Sequence, residues 1–308
     1  MAAVTREPLP LLDVIEHSLD LRPRTRELYI ECVKSFLAFV GSDPRSLGSP
    51  RYTAADVERW LIELRKEREP QTVNVYRKAI RYASRRWVKY AGADERRDDF
   101  AAQVDKIKVT KKAPKAPMSY EEAKKLLAAC DGAELVDIRD RALIVTALRT
   151  GLRRGGLEAL TFEGIAPPRI TTINKGGDTL TFEADPETLD ALQRWMGHVR
   201  AAGIATGQIF RDIDDDDKIG PPMTPFKIWY AFKRRARKAK IRAVYPHLAR
   251  HTLVTWLREQ GLSSATVGRL TGQTERTIEN IYTHVQTHGP VANALPSLLP
   301  PKADAEDL

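Results

Sequence analysis

Residues 106–117 set the first limit on how this chain can fold. Lys106, Lys108, Lys111, Lys112 and Lys115 crowd the stretch, and Pro114 and Pro117 interrupt it. Like charges at that density repel one another, and proline supplies no backbone N–H, so the stretch reads as an extended linker rather than part of a core. A chain of 308 residues interrupted there is expected to form two domains. The expected limits are residues 1–107, a basic linker at 108–117, a second domain at 118–290 and a tail at 291–308.

Both flanks carry mainly helical patterns. Between Arg24 and Val40, Leu28, Cys32, Phe36 and Val40 recur at four-residue steps, with Tyr29, Val33 and Leu37 beside them. Thr53 to Arg68 opens on a capping-box arrangement, with Asp56 three residues after Thr53, and is apolar at Val57, Trp60, Leu61 and Leu64. Gln71 to Tyr90 places Val73, Tyr76, Ile80, Ala83 and Trp87 on one side, leaving Arg77, Arg81, Arg85 and Arg86 for other faces. In the second domain, helices are expected from Ser119 through Cys130, over Asp137–Arg149, and from Asp185-Pro186 to Ala201. Arg169–Asn174 and Thr179–Ala184 alternate with period two around Lys175-Gly176-Gly177, the pattern of a hairpin.

Charge points to the partner class. With 50 Lys and Arg against 41 Asp and Glu, the formal net charge is +9 and the pI about 9.5, which favours a polyanion. The densest cluster is Lys233-Arg234-Arg235-Ala236-Arg237-Lys238-Ala239-Lys240, on a helix opened by Thr224-Pro225. Arg77, Arg81, Arg85, Lys111, Lys112, Lys233, Arg234, Arg235 and Arg237 are therefore the expected contacts to that polyanion. The two cysteines, Cys32 and Cys130, sit far apart in helical patterns and read as small buried hydrophobes. The acidic run at Asp212 and Asp214–Asp217 has Asp217 where a calcium loop needs Gly and Met223 where it needs Glu, so it reads as a solvated loop. No metal or other cofactor is expected. No apolar run reaches the ~20 residues that span a bilayer, and no leader pattern opens the chain, so a cytoplasmic protein with no membrane partner is expected.

The chemistry is concentrated late in the sequence. His247 and Arg250 lie three apart at a helix start and share one face. A phenol, Tyr282, closes a later helix that follows Thr274. Attack by a phenol oxygen on a phosphodiester needs cationic donors for the non-bridging oxygens, a base for the phenolic proton and an acid for the departing oxygen. Arg250 suits the first task because its planar fork pairs with phosphate at two points, and His247 suits the second. Upstream, Arg153 emerges just past an apolar helix and Gly151, and Lys175 occupies the hairpin tip, so a second Arg and a candidate acid are present.

In the order Arg153, Lys175, His247, Arg250 and Tyr282, the chain resembles the phage-integrase family of tyrosine recombinases. The resemblance implies a mainly α fold with a small β-sheet: an N-terminal helical, SAM-like DNA-binding domain and a C-terminal mixed α+β catalytic domain. It implies a site-specific recombinase that forms a 3′-phosphotyrosyl link through Tyr282. It also implies a homotetramer on two double-stranded DNA duplexes. Pro290, Val291, Leu295, Leu298 and Leu299 in the tail are expected to dock on a neighbouring subunit.

Two positions depart from the family pattern. Gly156 stands where an acid is usual three places after the Arg, with Glu158 two further on. Gln273 stands where the family usually has His, or sometimes Trp or Lys, and is expected to hydrogen-bond a phosphate oxygen without a charge. Two other readings remain open. Ser263–Tyr282 superficially resembles a helix-turn-helix, as in a sequence-specific DNA-binding regulator. A topoisomerase-like relative without full strand exchange keeps the fold and is compatible with Gly156 and Gln273.

Overall fold

The computed structural model describes residues 10–43, 52–91, 94, 98–110, 115–173, 177 and 179–282, the last three through their backbone only. Lys111, Lys112, Lys175 and the tail from residue 283 onward lie outside the described residues. The chain divides into two compact units, Met1–Lys112 and Ala113–Leu308. That boundary falls within the lysine-rich stretch.

The first unit is helical: α1 (Asp13–Glu16), α2 (Pro23–Phe39), α3 (Ala54–Glu67) and α4 (Pro70–Ala91). Helix α3 starts where Thr53 and Asp56 cap each other reciprocally, Asp56 N donating to Thr53 Oγ1 at 3.3 Å and Thr53 N to Asp56 Oδ2 at 2.8 Å. Phe36 of α2 is the centre of the core, with the rings of Tyr52 and Trp60 each 5.2 Å away. The stripe on α2 is narrower than its periodicity predicts. Cys32, Val33, Phe36 and Leu37 are buried, whereas Leu28 is 47% exposed. The unit closes on itself where Asn74 donates to Ile107 O and accepts from Ile107 N, both at 3.0 Å.

The second unit is built around α6 (Leu135–Thr150), which follows α5 (Tyr120–Ala128). Ala142, Leu143, Ile144, Val145, Ala147 and Leu148 are all fully buried, so α6 is enclosed on every side. It packs along α8 (Pro186–Ala201) and against α10 (Pro246–Glu259), while the short α7 (Arg154–Glu158) follows it in sequence. Helix α9 (Pro225–Lys238) covers the N-terminal half of α6, and the chain ends in α11 (Ser264–Thr271) and α12 (Glu275–Tyr282). An antiparallel sheet of order β1-β2-β3 (Ile165–Ala166, Arg169–Ile173, Thr179–Glu183) contains the expected hairpin, closing at the Ile173–Thr179 pair.

The acidic run is exposed as expected, with Asp214–Asp217 in the turn of a second hairpin, β4 (Arg211–Ile213) and β5 (Ile219–Pro222). Asp214 Oδ1 accepts from the N–H groups of Asp216 and Lys218 and so organises that turn. Among the described residues no helix is long and apolar enough to cross a membrane.

Candidate active site

The site grows from the C-terminus of α6. Gly151 caps that helix in the left-handed region at φ 64°, a conformation that glycine adopts without steric cost. Space requires glycine as well. A Cβ there would lie 2.9 Å from Leu253 Cδ2 and 3.3 Å from Thr271 Cγ2, so α6, α10 and α11 meet over a missing side chain. Leu152 then turns inward, 3% exposed, and Arg153 becomes the N-cap of α7. A buried residue on either side of the turn fixes where Arg153 begins.

The second guanidinium arrives on α10. Pro246 occupies its first turn, where proline's fixed φ favours helix initiation. Leu248, Ala249 and Leu253 anchor the inner face. Arg250, one turn in and 2% exposed, donates from Nη1 to Gly151 O at 2.6 Å. The same capping glycine thus turns the chain toward Arg153 and accepts from Arg250. His247 lies one turn earlier, on the exposed side. Partial burial of its ring, then the positive charges of Arg250 and Arg153, hold its pKa below the ordinary histidine value. The two arginines and the imidazole therefore share one electrostatic environment, although about a hundred residues separate Arg153 from the other two.

The third approach is from α11. It ends at Gly272, again left-handed at φ 64°, whose carbonyl accepts from Arg153 Nη1 at 3.4 Å. Gln273 follows at once. Its Oε1 accepts from Thr271 Oγ1 at 3.1 Å, which directs its amide nitrogen away from that contact. Gln273 thus stands beside the Arg153 contact, at the position the sequence suggested. Thr274 Oγ1 accepts from Thr277 N to start α12, and Ile278 packs with Val267 and Val254. Helix α12 closes at Tyr282, whose side chain lies outside the described residues, as does Lys175.

At Gly156 the missing acid is not replaced by Glu158, which lies half-buried at the end of α7. The turn after Arg153 is instead tied to the sheet: Thr172 Oγ1 of β2 donates to Gly156 O at 2.9 Å. That contact uses a backbone carbonyl, which residue identity does not encode.

The basic residues fall into distinct classes. On α4, Arg77 is half-buried and donates from Nε to Val104 O at 2.8 Å, Arg81 is half-buried, and Arg85 is exposed. On α9, Lys233 and Arg237 are exposed. Arg234 reaches back to Asp140 at 2.5 Å while keeping 40% of its side chain exposed. Arg235 does not fit a DNA contact. It is 3% exposed, its Nε donates to Asp140 Oδ2 at 2.7 Å, it pairs with Asp137, and its remaining donors reach Ala129 O and Val136 O. Burial raises the Asp140 pKa, but Arg139, Arg234 and Arg235 outweigh it and hold the carboxyl below the ordinary aspartate range. Among the described residues no group of three or more His, Cys, Asp or Glu is arranged to hold a metal ion.

Residues 117–288 match the model of the phage integrase family. The tyrosine recombinase XerD of Vibrio vulnificus strain YJ016 is 30% identical over 210 residues, 67% of this chain and 68% of that protein. The XerD of Pseudomonas aeruginosa PAO1 is 27% identical over 281 residues, 89% and 91% of the two chains. Two solved structures share the fold. One is a lambda integrase(75-356) dimer bound to a COC' core site, with TM-score 0.67, 13% identity and coverage of 92% of this chain and 98% of that one. The other is the Tn1549 transposon integrase in complex with transposon right end DNA, with TM-score 0.65, 18% identity and coverage of 90% and 96%.

Proposed function

Because this chain belongs to the phage integrase family of tyrosine recombinases, we propose that Tyr282 attacks one DNA phosphate held by Arg153 and Arg250. A 3′-phosphotyrosyl link forms and the 5′ oxygen departs as a free hydroxyl. His247 takes the phenolic proton, Lys175 protonates the leaving oxygen and Gln273 donates to a phosphate oxygen. The link conserves the energy of the phosphodiester, so a 5′ hydroxyl from a second duplex can reverse the attack and complete strand exchange. We further propose that four protomers hold two duplexes, that the tail docks between them, and that the protein acts in the cytoplasm.

The observation that carries this reading is the convergence of Arg153, Arg250 and His247 around the α6 cap. A phosphate would neutralise the positive charge that Arg250 and Arg153 bring to His247, and a neutral His247 ring is the form able to accept a proton. On the first unit, Arg77, Arg81 and Arg85 supply charge for backbone contact. On the second, Lys233, Arg234 and Arg237 do so.

Nicked duplexes from which the 5′ fragment diffuses away trap the covalent intermediate. Wild type should accumulate a covalent adduct and Tyr282→Phe none. With DNA below saturation, the adduct rate should rise with pH and level off, because the neutral imidazole is the active form. Its midpoint should lie below the ordinary histidine value, and His247→Gln should remove that rise. A DNA-binding regulator would give no adduct. A nickase would give adducts but no joined recombinant strands.

A further inference from the structure

Helix α9 carries two exposed aromatics, Phe226 and Tyr230, to which the recombination chemistry gives no role. Phe226, Tyr230, Lys233 and Arg237 follow one another at four, three and four residues, so they lie along one side of the helix. All four are exposed, Phe226 by 66% and Tyr230 by 45%. The opposite side, Ile228, Ala231, Phe232, Arg235 and Ala236, is fixed in the core. The outward aromatics are therefore held on a rigid element and cannot turn in.

The rings are arranged against one another. Phe226 and Tyr230 are nearly parallel, with an angle of 17° and centroids 6.3 Å apart, and Trp229 stands 5.8 Å from Phe226. Lys233 Nζ covers the Trp229 ring at 5.0 Å. Ring faces are thus partly taken by neighbouring rings and by an ammonium group.

Charge selects the occupant. The aromatic patch runs into Lys233 and Arg237, and Asp212, beside the start of the helix, is already paired with Lys227. Lysine is depleted at the centre of protein–protein interfaces, so a cationic aromatic strip fits a polyanion better. A single α-helix fits the ~12 Å major groove of a duplex, and there the apolar feature on base edges is the thymine C5 methyl.

We propose that Phe226 and Tyr230 form a thymine-methyl reading surface on α9, laid in the major groove with Lys233 and Arg237 on the flanking phosphates. This rests on the recombinase reading for its partner and adds a source of sequence preference to it. Phosphate contacts alone carry no sequence information.

The test uses the full chain and duplexes selected for binding from a randomised pool, each resynthesised with thymine or with uracil, which lacks only the C5 methyl. Wild type should bind the thymine form more tightly, by about fourfold for each methyl that it buries. Phe226→Ala and Tyr230→Ala should each reduce that ratio toward one. Equal affinity of wild type for both duplexes would overturn the proposal, as would a ratio that persists undiminished in both variants. Wild-type adduct formation on the uracil duplex at saturating protein separates the two readings. Adducts with equal affinities leave the recombinase assignment standing and remove this one. Absence of adducts on either duplex counts against the recombinase assignment, while the affinity ratio still decides the methyl contact.

Discussion

Arg250→Ala should slow formation of the covalent adduct by about 10²–10³-fold or more with the DNA fully bound. Arg250 is 2% exposed and is fixed by its bond to Gly151 O, so its fork does not need to be organised when charge builds on the phosphate. Preorganised donors of this kind act mainly on the transition state. Overall DNA affinity should change little, because the many surface cations set it. Arg250→Lys should recover only a fraction of the rate, since an ammonium cannot form the paired contact of a guanidinium. The check is single-turnover adduct formation on nicked duplex beside a binding isotherm. Loss of binding in proportion to rate would reassign Arg250 to simple DNA retention.

Arg235→Ala should be the most damaging change to stability. It removes the arginine shared by Asp137 and the fully buried Asp140; breaking a buried pair costs up to about 3–5 kcal/mol, which the remaining contacts of Asp140 to Arg139 and Arg234 reduce. For a unit of this size the full cost corresponds to roughly 6–20 °C in Tm. Arg237→Ala, two residues on and exposed, should change stability by no more than about 0.5 kcal/mol while weakening DNA binding. The carboxyl of Asp140 is held below its ordinary pKa. Its contribution is therefore present above the usual aspartate range and is lost as the pH falls through the lowered value. Calorimetry of both variants checks this. Equal melting of Arg235→Ala and wild type would contradict the buried network.

These two arginines show what was legible in the sequence. The role proposed for Arg250 rests on its spacing to His247 and on the order of Arg153, Lys175 and Tyr282 around it. Arg235 was hidden in a run of like charges, because composition does not reveal helix phase. Its signal was nevertheless present: Ile228, Ala231, Phe232, Arg235 and Ala236 make one apolar stripe with an arginine in it. The reciprocal caps at Thr53 and Ser119 were legible because three-residue spacing is a local property. The hairpin holding the acidic run was not, since strands of three and four residues are too short to establish a period of two. The tie from Thr172 to Gly156 O joins a side chain to a backbone carbonyl, and a carbonyl is the same in every residue.

The most direct test of the central claim is to digest the trapped protein–DNA adduct and locate the modified residue by mass spectrometry. The account predicts one nucleotide-bearing peptide, linked through Tyr282 to a 3′ phosphate. A link at another residue, or to a 5′ phosphate, would contradict it.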